Sequence, residues 1–423
     1  MLGDKRKSRF DPCLAQKIND EYSRNEKNKP FNKASDPRSG MVGQMMDNLE
    51  LQNNNDLIRT FHPIGQGAFY SERHFVNGRE FNFVYDCGST SFNIEKLEKK
   101  VNSTFPPNHI IDILFISHFH TDHINGLNAL KNRYHIKKVI LPYCDEEARI
   151  LVKINNFIND NNLDTSLIDD PIDFFRQTGK ETSVIFIDPV EPREGVNLEE
   201  TSDISTFIPP EGKRIPSGKV FVSNLKDYQW YFIPFNYKQI ERRNLFVKVL
   251  SDLGLTLNDI DTVERIVFNI KKIKKAYQAV EGDLNMNSMI LFSGNNLKDC
   301  IFSSTFKRSN NPYFSLKLNS SCIYLGDIDL NEKGVIYDIE SKLEILLPNV
   351  GTIQIPHHGS VHNFKNSIIY KNVGAAIISY GKENKYGHPS DSVIGEITKN
   401  GADTYFVTRN QHSIVVQTRE TLL

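Results

Sequence analysis

Four metal-ligating side chains crowd into six positions of the stretch "FISHFHTDHINGL" (115–127): His118, His120, Asp122 and His123. Neutral imidazole and carboxylate suit zinc and tolerate iron or manganese, at ligand distances near ~2.0 to 2.2 Å. His118 and His120 stand two apart at the end of an apolar run, so in an extended chain both side chains lean the same way. Asp122 and His123 follow where the chain can bend into a helix, which can aim one pair at one ion and the other pair at a second. Two divalent ions roughly 3.5 to 4 Å apart lower the pKa of a shared water towards ~7 and stabilise the oxygens of an in-line displacement at phosphorus. That is hydrolysis without a protein nucleophile. No Walker loop, serine elbow or kinase signature competes, since "GKETS" lacks the upstream glycine and the Lys-Thr/Ser adjacency of a P-loop.

The elements that must position these groups can be read from pattern. "HIIDILFISH" (109–118) is nearly continuous in β-branched and aromatic residues, which predicts a strand buried on both faces that delivers the ligands at its polar end. Upstream, residues 56–88 hold two β-like runs, the first interrupted by Gly65 and Gly67, the second ending at Asp86 and Gly88. Between about 138 and 284 the pattern is mixed. "DEEARILVKINNFIND" reads as helix and "TSVIFIDP" as strand. "KVFVSNLKDYQWYFIPF" reads as a hairpin turning near Lys226 and Asp227, and "RIVFNIKKIKKAY" as a helix with Ile266, Ile270, Ile273 and Tyr277 on one face. After Gly282 come short strands, each ending in polar residues, with helical patterns such as "SDSVIGEITKNG" between some of them. Strands and helices alternate without the rhythm of a barrel or dinucleotide fold, so periodicity alone gives α/β or α+β.

Bulk properties bound the function. The 51 basic and 52 acidic residues leave a formal net charge of −1, so no overall field draws the chain to nucleic acid or anionic lipid, and any such attraction is local. No stretch approaches the ~18 apolar residues of a membrane span and the N-terminus has no apolar signal core; a cytoplasmic protein without membrane association is expected. Five scattered cysteines (Cys13, Cys87, Cys144, Cys300, Cys322) suggest reduced, mostly buried thiols. Residues 1–55 are polar and poor in large apolar side chains, and are expected to form a partly disordered extension before a main domain at 56–423 that carries an insertion at about 138–284.

"SHFHTDH" matches the His-x-His-x-Asp-His signature of the metallo-β-lactamase superfamily. The surrounding pieces resemble, in order, the soluble hydrolase domain of ComEC-type DNA-uptake proteins. They are "IGQGAFY", "VYDCGS", "NSMIL", "IYLGDID", "IPHHGS" and "SYGKENKYGHPS", and together they cover residues 60–420 apart from the expected insertion. The resemblance implies an αββα sandwich, two mixed β-sheets flanked by helices with the metals at one sheet edge. It implies two divalent ions, zinc first and manganese next. His118 and His120 would hold the first, Asp122 and His123 the second, and Asp327 would bridge both. Asp86 would hydrogen-bond and orient a ligand. Asp122, His357, His358 and Asp86 are the residues expected to serve catalysis, and Ser360, Asn384 and Tyr386 those expected to contact substrate.

Two positions depart from the superfamily pattern or leave it open. The third histidine usual at the first metal is missing, since only His135 falls in the interval before Asp327; the expected place is near "GDLNMNS", where Asp283, Asn285, Asn287 and Ser288 are available, so the first site is completed by one of these groups or by water and is weaker. For the last ligand His388 in "YGHPS" is favoured, with His357 or His358 as second candidate or general acid. Gly359 and Ser360 suggest that the double-histidine turn is exposed to substrate.

The same metal pair opens phosphodiesters, lactams, lactones and thioesters. The ComEC-like motifs favour a phosphodiesterase or nuclease acting on DNA or RNA. The basic stretches "KQIERRNLFVK" and "NIKKIKK" are consistent with phosphate contact, although a solvated helix face is the stronger explanation of them. The aromatic run around Trp230 can stack bases or form a half-buried hairpin. The alternatives are a hydrolase of a small cyclic phosphodiester, lactone or thioester, and a metal-binding scaffold or sensor that engages a protein partner through its N-terminal extension or the insertion.

Overall fold

The computed structural model describes residues 55–420 except 77–78, 161–163, 192–195, 208–209, 211, 226–227, 281–286, 297–300 and 307–313. The extension expected at 1–55, the hairpin turn at Lys226 and Asp227, and Asp283 and Asn285 thus lie outside the described residues, save Asn55. What is described falls in one compact unit, Glu50–Leu423.

Two mixed sheets form that unit. One has ten strands in the spatial order Phe314–Asn319, Ile301–Phe306, Val415–Glu420, Asn55–Phe61, Tyr70–Val76, Arg79–Tyr85, Ile110–Phe115, His135–Pro142, Ser183–Ile187, Arg214–Ile215. The other has eight, ordered Asp403–Val407, Ala375–Ser379, Val350–Gln354, Ser321–Tyr324, Asn287–Gly294, Tyr228–Lys238, Val220–Leu225, Thr201–Asp203. Hairpins pair antiparallel, as in Tyr70–Val76 with Arg79–Tyr85, while the strands that end at the site pair parallel, as in Ile110–Phe115 with His135–Pro142.

Strand Ile110–Phe115 shows how the sequence dictates the layers. Side chains alternate across a strand, so Ile113 and Phe115 enter the core between the sheets, with Phe83, Trp230, Phe232 and Tyr324. Leu114, between them, faces the other way, into the core under the helices Ile94–Asn102, Leu127–Arg133 and Glu146–Asp160. A third core packs the helices Val335–Leu343 and Asp391–Lys399 onto the outer face of the second sheet. Helix, sheet, sheet, helix is the αββα order expected from the motifs.

The segment 138–284, expected as an insertion, supplies strands to both sheets rather than standing apart. Ser183–Ile187 and Arg214–Ile215 join the first sheet, and Thr201–Asp203, Val220–Leu225 and Tyr228–Lys238 the second. Ser183–Ile187 and the Val220–Lys238 hairpin fall where the sequence reading put a strand and a hairpin, whereas Thr201–Asp203 and Arg214–Ile215 are three and two residues long, too short for a period to emerge. The helical reading of 265–277 is corrected in one detail. The run divides into Val263–Phe268 and Ile270–Gln278 at Asn269, and Ile273 and Ala276 carry the burial of the second piece. No helix among the described residues is long and apolar enough to cross a membrane. The described cysteines Cys87, Cys144 and Cys322 are free and buried.

Candidate metal centre

The centre lies at one end of the sandwich, where loops leaving four parallel strands converge. Strand Ile110–Phe115 ends three residues before His118, and the chain then turns into the short helix Thr121–Ile124 with His120 at its cap. This bend separates the four side chains into two groups. His118 and His120 fall in one group with Asp327, and Asp122 and His123 fall in a second with His358. Within each group the ligand atoms lie within 4.8 Å of one another. The groups adjoin, with the His118 and His123 rings 4.1 Å apart.

Hydrogen bonds fix which nitrogen each ring presents. Asp86 Oδ1 accepts from Ser117 N at 2.7 Å, and Asp86 Oδ2 accepts from Ser117 Oγ at 2.6 Å and from His123 Nδ1 at 2.8 Å. Because the Ser117 hydroxyl gives its hydrogen to Asp86, it receives one from His118 Nδ1, 2.8 Å away. One buried carboxylate therefore orients two imidazoles, one directly and one through serine, and both present an Nε2 lone pair to the centre. His358 is tied likewise, donating from Nδ1 to the Ser379 carbonyl at 2.8 Å.

Those lone pairs meet carboxylates. His358 Nε2 is 2.9 Å from Asp122 Oδ2, and His123 Nε2 is 3.2 Å from Asp327 Oδ1. His118 Nε2 is 3.7 Å from Asp327 Oδ2. The Nε2 atoms of His118 and His123 are buried without a hydrogen-bond partner. Acceptors facing acceptors in a dry site require positive charge between them, so this donor set fits divalent cations. The electrostatics agree. Burial pushes the His123 imidazole down, yet Asp327, Asp122 and Asp86 outweigh it and hold its pKa well above the ordinary value; a metal ion would be held by the same negative field. Burial, with His123 and His120 adding, holds His118 well below its ordinary value, in the neutral form that ligates. Burial pushes the Asp327 carboxyl up, but His123 and His357 overcome it and keep it well below the usual carboxylate range.

The loop before Asp327 is held by Gln354, whose Oε1 accepts from Leu325 N at 2.7 Å and Gly326 N at 2.8 Å. Asn363 donates to the Asp327 carbonyl at 3.2 Å and accepts from His357 Nδ1 at 2.9 Å. Ser117, Gln354 and Asn363 escaped the sequence reading. The available signals were a hydroxyl directly before the first histidine and a polar side chain inside the otherwise apolar "TIQIP".

Three expectations are corrected by this geometry. His388, favoured as last ligand, belongs to neither ligand group, whereas His358 stands in the second; the His388 ring is 5.7 Å from that of His357. The double-histidine turn is not an open one. His358, Gly359 and Ser360 are buried because the loop carrying Pro389 packs against them, Ser390 N donating to the Gly359 carbonyl at 3.0 Å. Asn384 spends its amide inside its own loop, accepting from Tyr386 N and His388 N and donating to the Gly381 and His388 carbonyls. Of the three residues expected to touch substrate, Tyr386 is the exposed one, its ring stacked on His388 at 5.9 Å. His135 starts a strand and bonds the Glu181 carbonyl, away from the centre.

An αββα sandwich with clustered histidines and aspartates at the ends of parallel strands defines a metallohydrolase fold. Residues 74–182 match the family model of the Metallo-beta-lactamase superfamily. No curated protein matches the sequence. Among solved structures, the metallo-beta-lactamase fold protein YhfI from Bacillus subtilis aligns at 8% identity with a TM-score of 0.32, over 84% of this chain and 98% of its own. A diphosphatase of the PhnP family aligns at 10% identity and TM-score 0.29, over 84% of this chain and 88% of its own. A long form RNase Z from yeast aligns at 13% identity and TM-score 0.33, over 97% of this chain but 47% of its own.

Proposed function

We propose that the domain is a metal-dependent phosphodiesterase acting on DNA or RNA. The observation that carries the reading is the pair of adjoining ligand groups, His118, His120 and Asp327 beside Asp122, His123 and His358, with Asp327 facing both. Imidazoles and carboxylates suit zinc first and manganese next. Two such ions would supply a water activated near neutral pH and positive charge for the oxygens at phosphorus.

The chain's own residues do the rest. Asp86 and Ser117 hold His118 and His123 in the ligating tautomer. Asp122 is the more exposed carboxylate, at 15% against 4% for Asp327, and is the group placed to take up a proton. Tyr386 and His388 form an aromatic edge beside His357 where a base can stack. The motifs that resemble those of ComEC-type hydrolase domains support a nucleic-acid substrate. So does the exposed lysine face of helix Ile270–Gln278 (Lys271, Lys272, Lys274, Lys275), whose neighbouring helix Glu241–Asp252 carries Arg242, 2.6 Å from Asp329, two residues along the chain from Asp327.

The test is elemental analysis of the purified chain, then a panel of single- and double-stranded DNA, RNA, simple phosphodiesters, lactones and thioesters in zinc and in manganese. Cleavage of nucleic acid is expected, abolished by Asp327→Ala and by His120→Ala, with binding that weakens steeply as salt rises. Turnover of a lactone, thioester or cyclic diester with polymers left intact would move the assignment to a small-molecule hydrolase. Two bound ions with no turnover on any substrate would sink both enzymatic readings in favour of a scaffold.

A further inference from the structure

The geometry points to His357 as the third imidazole of the first metal site, in place of the histidine that the chain lacks between the main motif and Asp327. This assignment rests on the metal centre proposed above and adds a ligand to it. Asp327 divides its two oxygens between two sets of neighbours. Oδ1 faces His123, at 3.2 Å, whereas Oδ2 faces His118 at 3.7 Å and His357 Nε2 at 3.9 Å. Two ligand atoms on one tetrahedral ion stand roughly 3.4 Å apart, so His118 and His357 each stand from that oxygen at close to the separation a shared ion imposes, and His357 would draw in towards His118 and His120 as an ion is bound.

The ring is already prepared. Asn363 donates from Nδ2 to the Asp327 carbonyl, which fixes its amide, and its Oδ1 therefore receives the hydrogen of His357 Nδ1 at 2.9 Å. His357 thus turns Nε2 towards Asp327, as His358 turns its Nε2 towards Asp122 through its own Nδ1 tether. Backbone conformation gives independent support. His357 and His358 are consecutive non-glycine residues in the left-handed region, with φ of 47° and 56°. Strain of this kind persists where the surrounding structure needs it. Here it lets two successive side chains reach the two ligand groups, which an extended strand end would send to opposite faces. Of the groups expected from sequence to fill the gap, Asn287 spends its amide nitrogen on Asn236 Oδ1 and the Tyr143 carbonyl, and the Ser288 hydroxyl is buried beside Gly326; Asp283 and Asn285 lie outside the described residues.

The test compares the full chain with His357→Asn, a replacement that tolerates the left-handed backbone but is too short to ligate, and with Asn363→Leu, which keeps the ring and removes its tether. Each is loaded with zinc, then with cobalt, and read by ions per chain, by chelator competition and by cobalt visible absorption. The natural chain is expected to hold two ions. His357→Asn should hold one firmly, with affinity for the other lowered at least tenfold and the cobalt spectrum of that site changed; Asn363→Leu should show a smaller loss at the same site. His358→Asn should weaken the other ion. Two ions held as tightly in His357→Asn and Asn363→Leu as in the natural chain would overturn the assignment, and lost turnover with intact loading would make His357 a proton donor instead. A natural chain that takes up no ion would overturn the metal centre itself, and this assignment with it.

Discussion

Asp86 sits at φ 56°, fully buried, and accepts three hydrogen bonds from Ser117 and His123. Asparagine tolerates the same backbone and occupies the same volume, but its amide nitrogen cannot accept from His123 or the Ser117 hydroxyl. Asp86→Asn should therefore fold, yet bind metal about 10 to 100-fold more weakly, as measured by chelator competition; unchanged affinity would contradict the orienting role. At this scale the sequence told most where ligand spacing is local. His118, His120, Asp122 and His123 divide as their positions within one bend require. It told less where a ligand's aim depends on φ, because nothing in "PHHGS" announces two left-handed histidines, and His358 rather than His388 is what that backbone delivers.

The elements around the centre are loops at strand ends, and their fit depends on close backbone approach. The turn after Ile64 passes so near the main motif that Ala68 N donates to the Asp122 carbonyl at 3.2 Å and Gly88 N to the Ala68 carbonyl at 3.0 Å. A Cβ on Gly67, at φ 137°, would stand 2.3 Å from the carbonyl oxygens of both Asp122 and Gly88. Gly67→Ala should cost about 2 to 4 kcal/mol, read as a lower denaturant midpoint, and should impair metal binding in parallel. Gly254→Ala, also at positive φ but with open space around it, should cost only about 1 kcal/mol and leave the metals in place. Equal effects would show that close packing at the turn is unimportant. Long apolar or strongly amphipathic elements, such as Ile110–Phe115 and Glu146–Asp160, were legible in advance. The short strands Thr201–Asp203 and Arg214–Ile215 were not, since their places depend on their neighbours in the sheets rather than on a pattern of their own.

Across the whole molecule, the two sheets are joined by charge as well as by apolar packing. Glu72, fully buried on the first sheet, accepts from Arg59 at 2.7 Å, from Tyr324 of the second sheet at 2.8 Å and from Ser293 at 2.8 Å, and pairs with His74 at 2.9 Å. Burial pushes its carboxyl up, but Arg59 and His74 outweigh this and hold it at about 2. Titration elsewhere should dominate in mild acid. Burial, with Lys100 adding, pushes His62 down to about 3 from an ordinary value of 6.5, and its Nε2 is 2.7 Å from Ser71 Oγ. Below 6.5 the unfolded chain takes a proton that folded His62 refuses. Its contribution is complete above 6.5 and lost as pH falls towards about 3, at about 1.4 kcal/mol per pH unit. Denaturant unfolding of chelator-treated protein between pH 7.5 and 4.5 should thus show a shallower loss in His62→Gln than in the natural chain, and identical slopes would refute it.

Asp327, with one oxygen turned to each group, makes the loading of the proposed centre a linked equilibrium rather than two separate titrations. Whichever ion arrives first orders the carboxylate for the second and also repels it. Affinity for one metal is therefore conditional on occupancy of the other, by the same factor in both directions. Availability of metal would then act on this protein through a single side chain, as a graded switch between empty, half-loaded and fully loaded forms.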